Sequence, residues 1–120
     1  MERMEVRNMT SKTGRPVANQ FLIFDGSNYY LQSYNTVVAK ASRTGKITLI
    51  KNACSISNTT NKYLYRFLQK FSSIDKELIN KRGVTQLVKC GVITEVSELI
   101  LFLHSCGRGF IQHEKIIKKS

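Results

Sequence analysis

Lys62, Arg66 and Lys70 recur at i, i+4 and i+8, a spacing that sets three cations in one row along a helix. Each step of that row rises about six Å, close to the interval between phosphates on one nucleic-acid strand, so the row suits docking on a phosphate backbone. On an amphipathic helix the same row is often only a solvated face. The surroundings weigh toward contact. From Gly26 to Ile74 the chain holds no Asp or Glu, yet Lys40, Arg43, Lys46 and Lys51 join the row there, together with all five tyrosines. Cations without internal carboxylates look outside the molecule for counterions. Tyr30 and Tyr34 add planar side chains that can stack bases or sugars, although tyrosine also fills half-buried strand positions.

Other chemistry has less behind it. The two histidines, His104 and His113, lie near the C-terminus with no nucleophile motif beside them. There is no P-loop, no G-x-G-x-x-G and no paired-carboxylate arrangement, and a magnesium nuclease would want clustered acids where this chain scatters eight. Cys54, Cys90 and Cys106 match no zinc-finger or ribbon spacing and read as small buried hydrophobes. The expectation is a protein without catalysis, metal or cofactor. The segment Leu78–Val88, with Gly83 at a turn and Thr85, Gln86 and Lys89 beyond it, has the outline of a helix-turn-helix. Its second helix stops short at Gly91, so two small core-packing helices are the plainer reading.

Those side chains need elements to position them. Gln20–Phe24 and Asn28–Tyr34 flank the turn signal Asp25-Gly26-Ser27 and predict a β-hairpin, with Tyr30, Gln32 and Tyr34 on one face and Tyr29, Leu31 and Ser33 on the other. Thr36–Ala41 and Lys46–Lys51, joined through Arg43-Thr44-Gly45, extend it to a four-stranded antiparallel meander. After Ser57-Asn58-Thr59-Thr60 the period becomes helical: Leu64, Phe67, Leu68 and Phe71 form an apolar stripe opposite the cations. Shorter helical pieces are expected over Ile74–Lys81 and Thr85–Lys89, and a last helix from a Thr94 cap to Ser105. The fold class is therefore α+β, with the meander packed by an amphipathic helix and a short-helix C-terminal part. Its parts are a flexible arm over residues 1–16, the meander over 17–52, a helical part over 58–106 and a basic tail over 107–120.

At 120 residues and 42% apolar composition the chain makes one domain with a packed core, and its net charge of +11 draws polyanions. The start has no secretory apolar core, the odd cysteine count suits a reducing compartment, and the longest apolar run, Leu99–Leu103, is too short to span a bilayer. A soluble intracellular protein is expected. The residues are silent on oligomeric state.

The stretches Lys12-Thr13-Gly14-Arg15-Pro16-Val17-Ala18-Asn19-Gln20-Phe21, Gln32-Ser33-Tyr34 and Thr59-Thr60-Asn61-Lys62-Tyr63-Leu64 resemble a family of small proteins, without an agreed activity, encoded by bacteriophages and related mobile elements. The resemblance spans roughly residues 12–70 and transfers no site residue. It implies a phage product in the host bacterial cytoplasm, where such proteins bind and block host machinery. With the charge pattern, the expectation is a basic binding protein engaging nucleic acid or a nucleoprotein complex. Lys62, Arg66, Lys70, Lys40, Arg43 and Lys46 would meet phosphate, with Tyr30 and Tyr34 stacking. A protein-directed inhibitor of a host or defence system, such as an anti-CRISPR, and a virion structural component are the alternatives.

Overall fold

The computed structural model describes residues 4–99. Six strands form one sheet in chain order: β1 (Glu5–Thr10), β2 (Pro16–Phe24), β3 (Tyr29–Ser33), β4 (Thr36–Ala41), β5 (Ile47–Ile50) and β6 (Thr94–Val96). The first five are antiparallel and β6 runs parallel to β5. Between β5 and β6 lie the helices α1 (Asn58–Phe71) and α2 (Lys81–Lys89), with single 3₁₀ turns at Ala53–Ser55 and Lys76–Leu78. The architecture is α+β.

Local chemistry sets each element. The β2–β3 turn is held by Asp25, whose carboxylate accepts the N–H groups of Ser27 and Asn28 at 2.8 and 2.7 Å, while Gly26 takes the positive φ of 98° that the reversal needs. Ser57 caps α1 by accepting the Thr60 N–H at 3.0 Å. Leu64, Phe67 and Leu68 are fully buried against Leu31, Val38 and Ala39 of the sheet. Each such side chain contributes about 1.5–3 kcal/mol, which makes this stripe the main anchor of the helix. A hydroxyl chain fixes the start of α1 on the strands: Gln20 donates to Ser33 Oγ at 3.0 Å, and Ser33 Oγ shares a hydrogen bond with Thr60 Oγ1 at 2.8 Å. Both helices lie on this face of the sheet. The opposite face gathers Ile23, Tyr30, Val37 and Leu99.

Four expectations change. The N-terminal arm is in part a strand: residues Glu5–Thr10 pair with β2, and a register shift between Asn8 and Thr10 breaks the period-two signal. The helix expected from Thr94 is instead β6, because the free edge of β5 offers backbone partners that Thr94, Glu95 and Val96 take up, with Lys51 N–H donating to the Val96 carbonyl at 2.8 Å. Gly83 lies inside α2, in its first turn, since the helix starts at the Asn80 cap. A Cβ on Gly83 would collide with the Leu78 carbonyl, so glycine permits that close approach, and the helix-turn-helix outline dissolves into a 3₁₀ turn and one nine-residue helix. Cys90 is exposed at the end of α2, whereas Cys54 is half-buried. Cys106, His104, His113, the helix end at Ser105 and the basic tail lie outside the described residues.

Candidate functional site

On the helix side of the sheet, β1 presents Glu5, Arg7 and Met9, and α1 presents Arg66, Lys70 and Phe71 across from them. Between the two runs a groove of about 450 Å³, floored by Leu22 and Phe67 and continued at one end past Lys12. Four cations, Arg7, Lys12, Arg66 and Lys70, thus line one concavity from both walls. Among the described residues one ion pair forms, Arg7 to Glu5 at 3.3 Å, and both partners are well exposed. An exposed pair of that kind leaves the field of the groove largely positive.

The cations on α1 make contacts within the fold. Arg66 donates to the Thr10 carbonyl at 2.7 Å, tying α1 to the end of β1. Its guanidinium also lies 5.3 Å from the centre of the Tyr63 ring, which Lys62 Nζ approaches at 5.6 Å. Lys70 Nζ sits 5.7 Å from the Phe71 ring. Beneath Lys70 the rings continue inward: Phe71 stacks on Tyr29 at 4.2 Å, and Tyr29 on Phe24 at 4.7 Å.

The residues expected to meet a partner fall into three places. Arg66 and Lys70 line the groove, and Lys62 continues their row, exposed, toward the start of α1. Tyr34 is 53% exposed in the two-residue β3–β4 turn, which the Ser33–Thr60 bond holds at that same end of the helix. Arg43 and Lys46 are exposed on the β4–β5 turn, which abuts the opposite end of α1: a Cβ on Gly45 would lie 3.3 Å from Ser73 N. Lys40 and Tyr30 do not join them. They are register partners on the far face, where Tyr30 is 5% exposed and its phenol donates to Asp25 Oδ2 at 2.8 Å. Burial and that bond push the Tyr30 phenol well above its ordinary range. For Asp25, burial would raise the carboxyl, but the Asn28 and Ser27 N–H groups, the Tyr30 phenol and the Lys40 charge together hold it below the ordinary value. Tyr30 is a buried structural side chain and cannot stack a base, and Lys40 stands on that far face near Asp25, away from the groove.

Arg7, Lys12 and the ring floor escaped the sequence reading. Their signal was present in Glu5, Arg7 and Met9, which alternate along one strand face, but two steps of alternation in a charged segment do not announce a strand.

The class defined by fold and site is an α+β module whose helix and edge strand enclose a cationic, ring-floored groove. The chain belongs to the family of unknown function DUF8033, which it matches over residues 4–83, a span that includes β1, the meander and α1. No curated protein and no solved structure matches it significantly.

Proposed function

We propose that this chain is a non-enzymatic binding protein that holds nucleic acid, free or within a nucleoprotein complex, along the β1–α1 groove. The carrying observation is the convergence of Arg7, Lys12, Arg66 and Lys70 on one concavity with, among the described residues, a single carboxylate, Glu5, at its rim. A polyanion exchanges its condensed counterions for such fixed cations, and that release supplies the affinity. Lys62 extends the track at one end, and Arg43 and Lys46 lie near the other.

Two further observations support this reading over its rivals. Among the described residues the large exposed apolar side chains, Tyr34, Ile56, Leu78 and Val92, sit on four separate segments, which is a weak basis for the apolar anchors of a protein-directed inhibitor. The half-buried thiol of Cys54 is pushed up by burial, and among the described residues no histidine or carboxylate is hydrogen-bonded to it as an activating base, which disfavours it as a nucleophile. The resemblance to phage proteins supports a bacterial cytoplasm as the setting, with host or defence machinery as the source of the nucleic acid.

The test is fluorescence anisotropy with labelled oligonucleotides at two salt concentrations. Affinity should fall steeply with salt, and each groove cation replaced by Ala should lower the log–log slope by about one or slightly less. A slope near zero would reject the proposal. Pull-down from host lysate with and without nuclease separates the inhibitor alternative, whose partner would survive the digestion.

A further inference from the structure

The groove is not uniform along its length. Toward Lys12 and Arg66 its walls are cationic over a floor of Leu22 and Phe67, whereas past Lys70 it narrows into a hollow of about 140 Å³ walled by Phe24, Tyr29 and Phe71, with Glu5 and Arg7 at the mouth. A cavity of about 150 Å³ accommodates one benzene ring, so this hollow is on the scale of a single planar ring. Its wall rings stack on one another, Phe24 on Tyr29 at 4.7 Å and 30°, Tyr29 on Phe71 at 4.2 Å and 23°, so Tyr29 is covered on both faces and the hollow is met by ring edges and outer faces. The position of Glu5 is informative. Among the described residues Glu5 is the one acid of the site, and its pairing with Arg7 at 3.3 Å makes this end of the groove the least attractive to phosphate.

We infer that the groove takes a single strand rather than a duplex, with the backbone against Lys12, Arg66 and Lys70 and one unpaired base in the ring-walled hollow beside Glu5. The inference rests on the nucleic-acid reading above and narrows it. A base inside a duplex has both faces stacked and its pairing edge occupied, so only an unpaired base can enter such a hollow. Cations on two facing walls also suit one backbone threaded between them. The Glu5 oxygen that does not take the Arg7 guanidinium, Oε2, accepts hydrogen bonds and donates none, so it favours a base with an exocyclic amine: cytosine, which offers N4–H₂, over thymine, which presents a carbonyl there.

The experiment compares four ligands against the full chain at one low salt concentration: oligo(dC), oligo(dT), the same oligo(dC) with a run of abasic sites, and a duplex of equal length. Expected are about tenfold tighter binding of oligo(dC) than of the abasic strand, a several-fold preference for oligo(dC) over oligo(dT), and weaker binding of the duplex. Glu5→Gln should erase the dC preference while leaving oligo(dT) affinity equal or higher. This substitution lies on an exposed side chain, so folding is not at stake, and the abasic comparison alters no protein residue at all. Equal affinity for the intact and abasic strands, duplex binding as tight as single-strand binding, or equal affinity for dC and dT would overturn the inference while leaving a polyanion-binding groove. No binding of any of the four would overturn both.

Discussion

Tyr29 and Tyr30 are neighbours in sequence and opposites in role. Strand alternation sends Tyr29 to the helix side, where its ring forms part of the groove wall, and Tyr30 to the far side, where its phenol is spent on Asp25. The cations divide the same way. Arg66 and Lys70 face a concavity with one carboxylate at its edge, while Lys40 lies across from Asp25. Each side holds a tyrosine and at least one lysine. What separates the two here is the setting: four cations converge on an open concavity, whereas Tyr30 is buried with its phenol donated to Asp25 and a single lysine, Lys40, stands near that carboxylate.

The sharpest test removes charge from each side in turn. Lys12→Ala, Arg66→Ala and Lys70→Ala combined should weaken oligonucleotide binding by about a hundredfold at low salt and flatten its salt dependence by about two to three in slope. Lys40→Ala should leave affinity within about twofold. An equal loss from Lys40→Ala, read by anisotropy, would erase the distinction between the two faces. Because Arg66 also bonds the Thr10 carbonyl, the triple variant should be checked by circular dichroism, with Arg66→Lys as the charge-preserving control.

Next in size is Tyr30→Phe. It deletes a hydroxyl donated to a carboxylate and should cost about 2 kcal/mol in urea unfolding, with no change in oligonucleotide affinity. A variant as stable as the parent but weaker in binding would reverse the assignment of Tyr30. Ser57→Ala follows at about 1 kcal/mol, since it strips the cap of the helix that carries Lys62, Arg66 and Lys70. Its effect on binding should be no larger than its effect on stability.

How far these sides could be told apart beforehand depends on the range of the interactions involved. The helix α1 was legible because its cap, its apolar period and its cation row all lie within fifteen residues, and local signals agreed. The β2–β3 hairpin was legible for the same reason, through Asp25-Gly26-Ser27. Alternation correctly put Tyr29 and Tyr30 on different faces, yet it carries no label saying which face is covered; that depends on Ile23, Val37 and Leu99, which reach Tyr30 from other parts of the chain. The strand β1 was hidden by its bulge, and with it Arg7 and Lys12. Three-residue β6 exists only because β5 has an edge to complete, a fact held in no local pattern.

The smallest expected effect concerns pH and bears on the satisfied side alone. The carboxyl of Asp25 is held below its ordinary value of 3.8 when folded, so its contribution to stability is fully present above that pH and is lost as the pH falls through the lower folded value. The Tyr30 phenol is shifted the other way. Its raised value means that the folded state keeps a proton the unfolded chain releases, so stability falls as pH climbs above 10.0. Urea midpoints across pH should therefore decline at both ends. Asp25→Asn should flatten the acid limb, and it should also shrink the alkaline one, because the charge that helps hold the Tyr30 proton is gone. Tyr30→Phe should abolish the Tyr30 part of the alkaline limb and soften the acid limb. If each substitution changed only its own limb, Asp25 and Tyr30 would not be coupled, and the far-side cluster would lose the internal partnership that sets it apart from the groove.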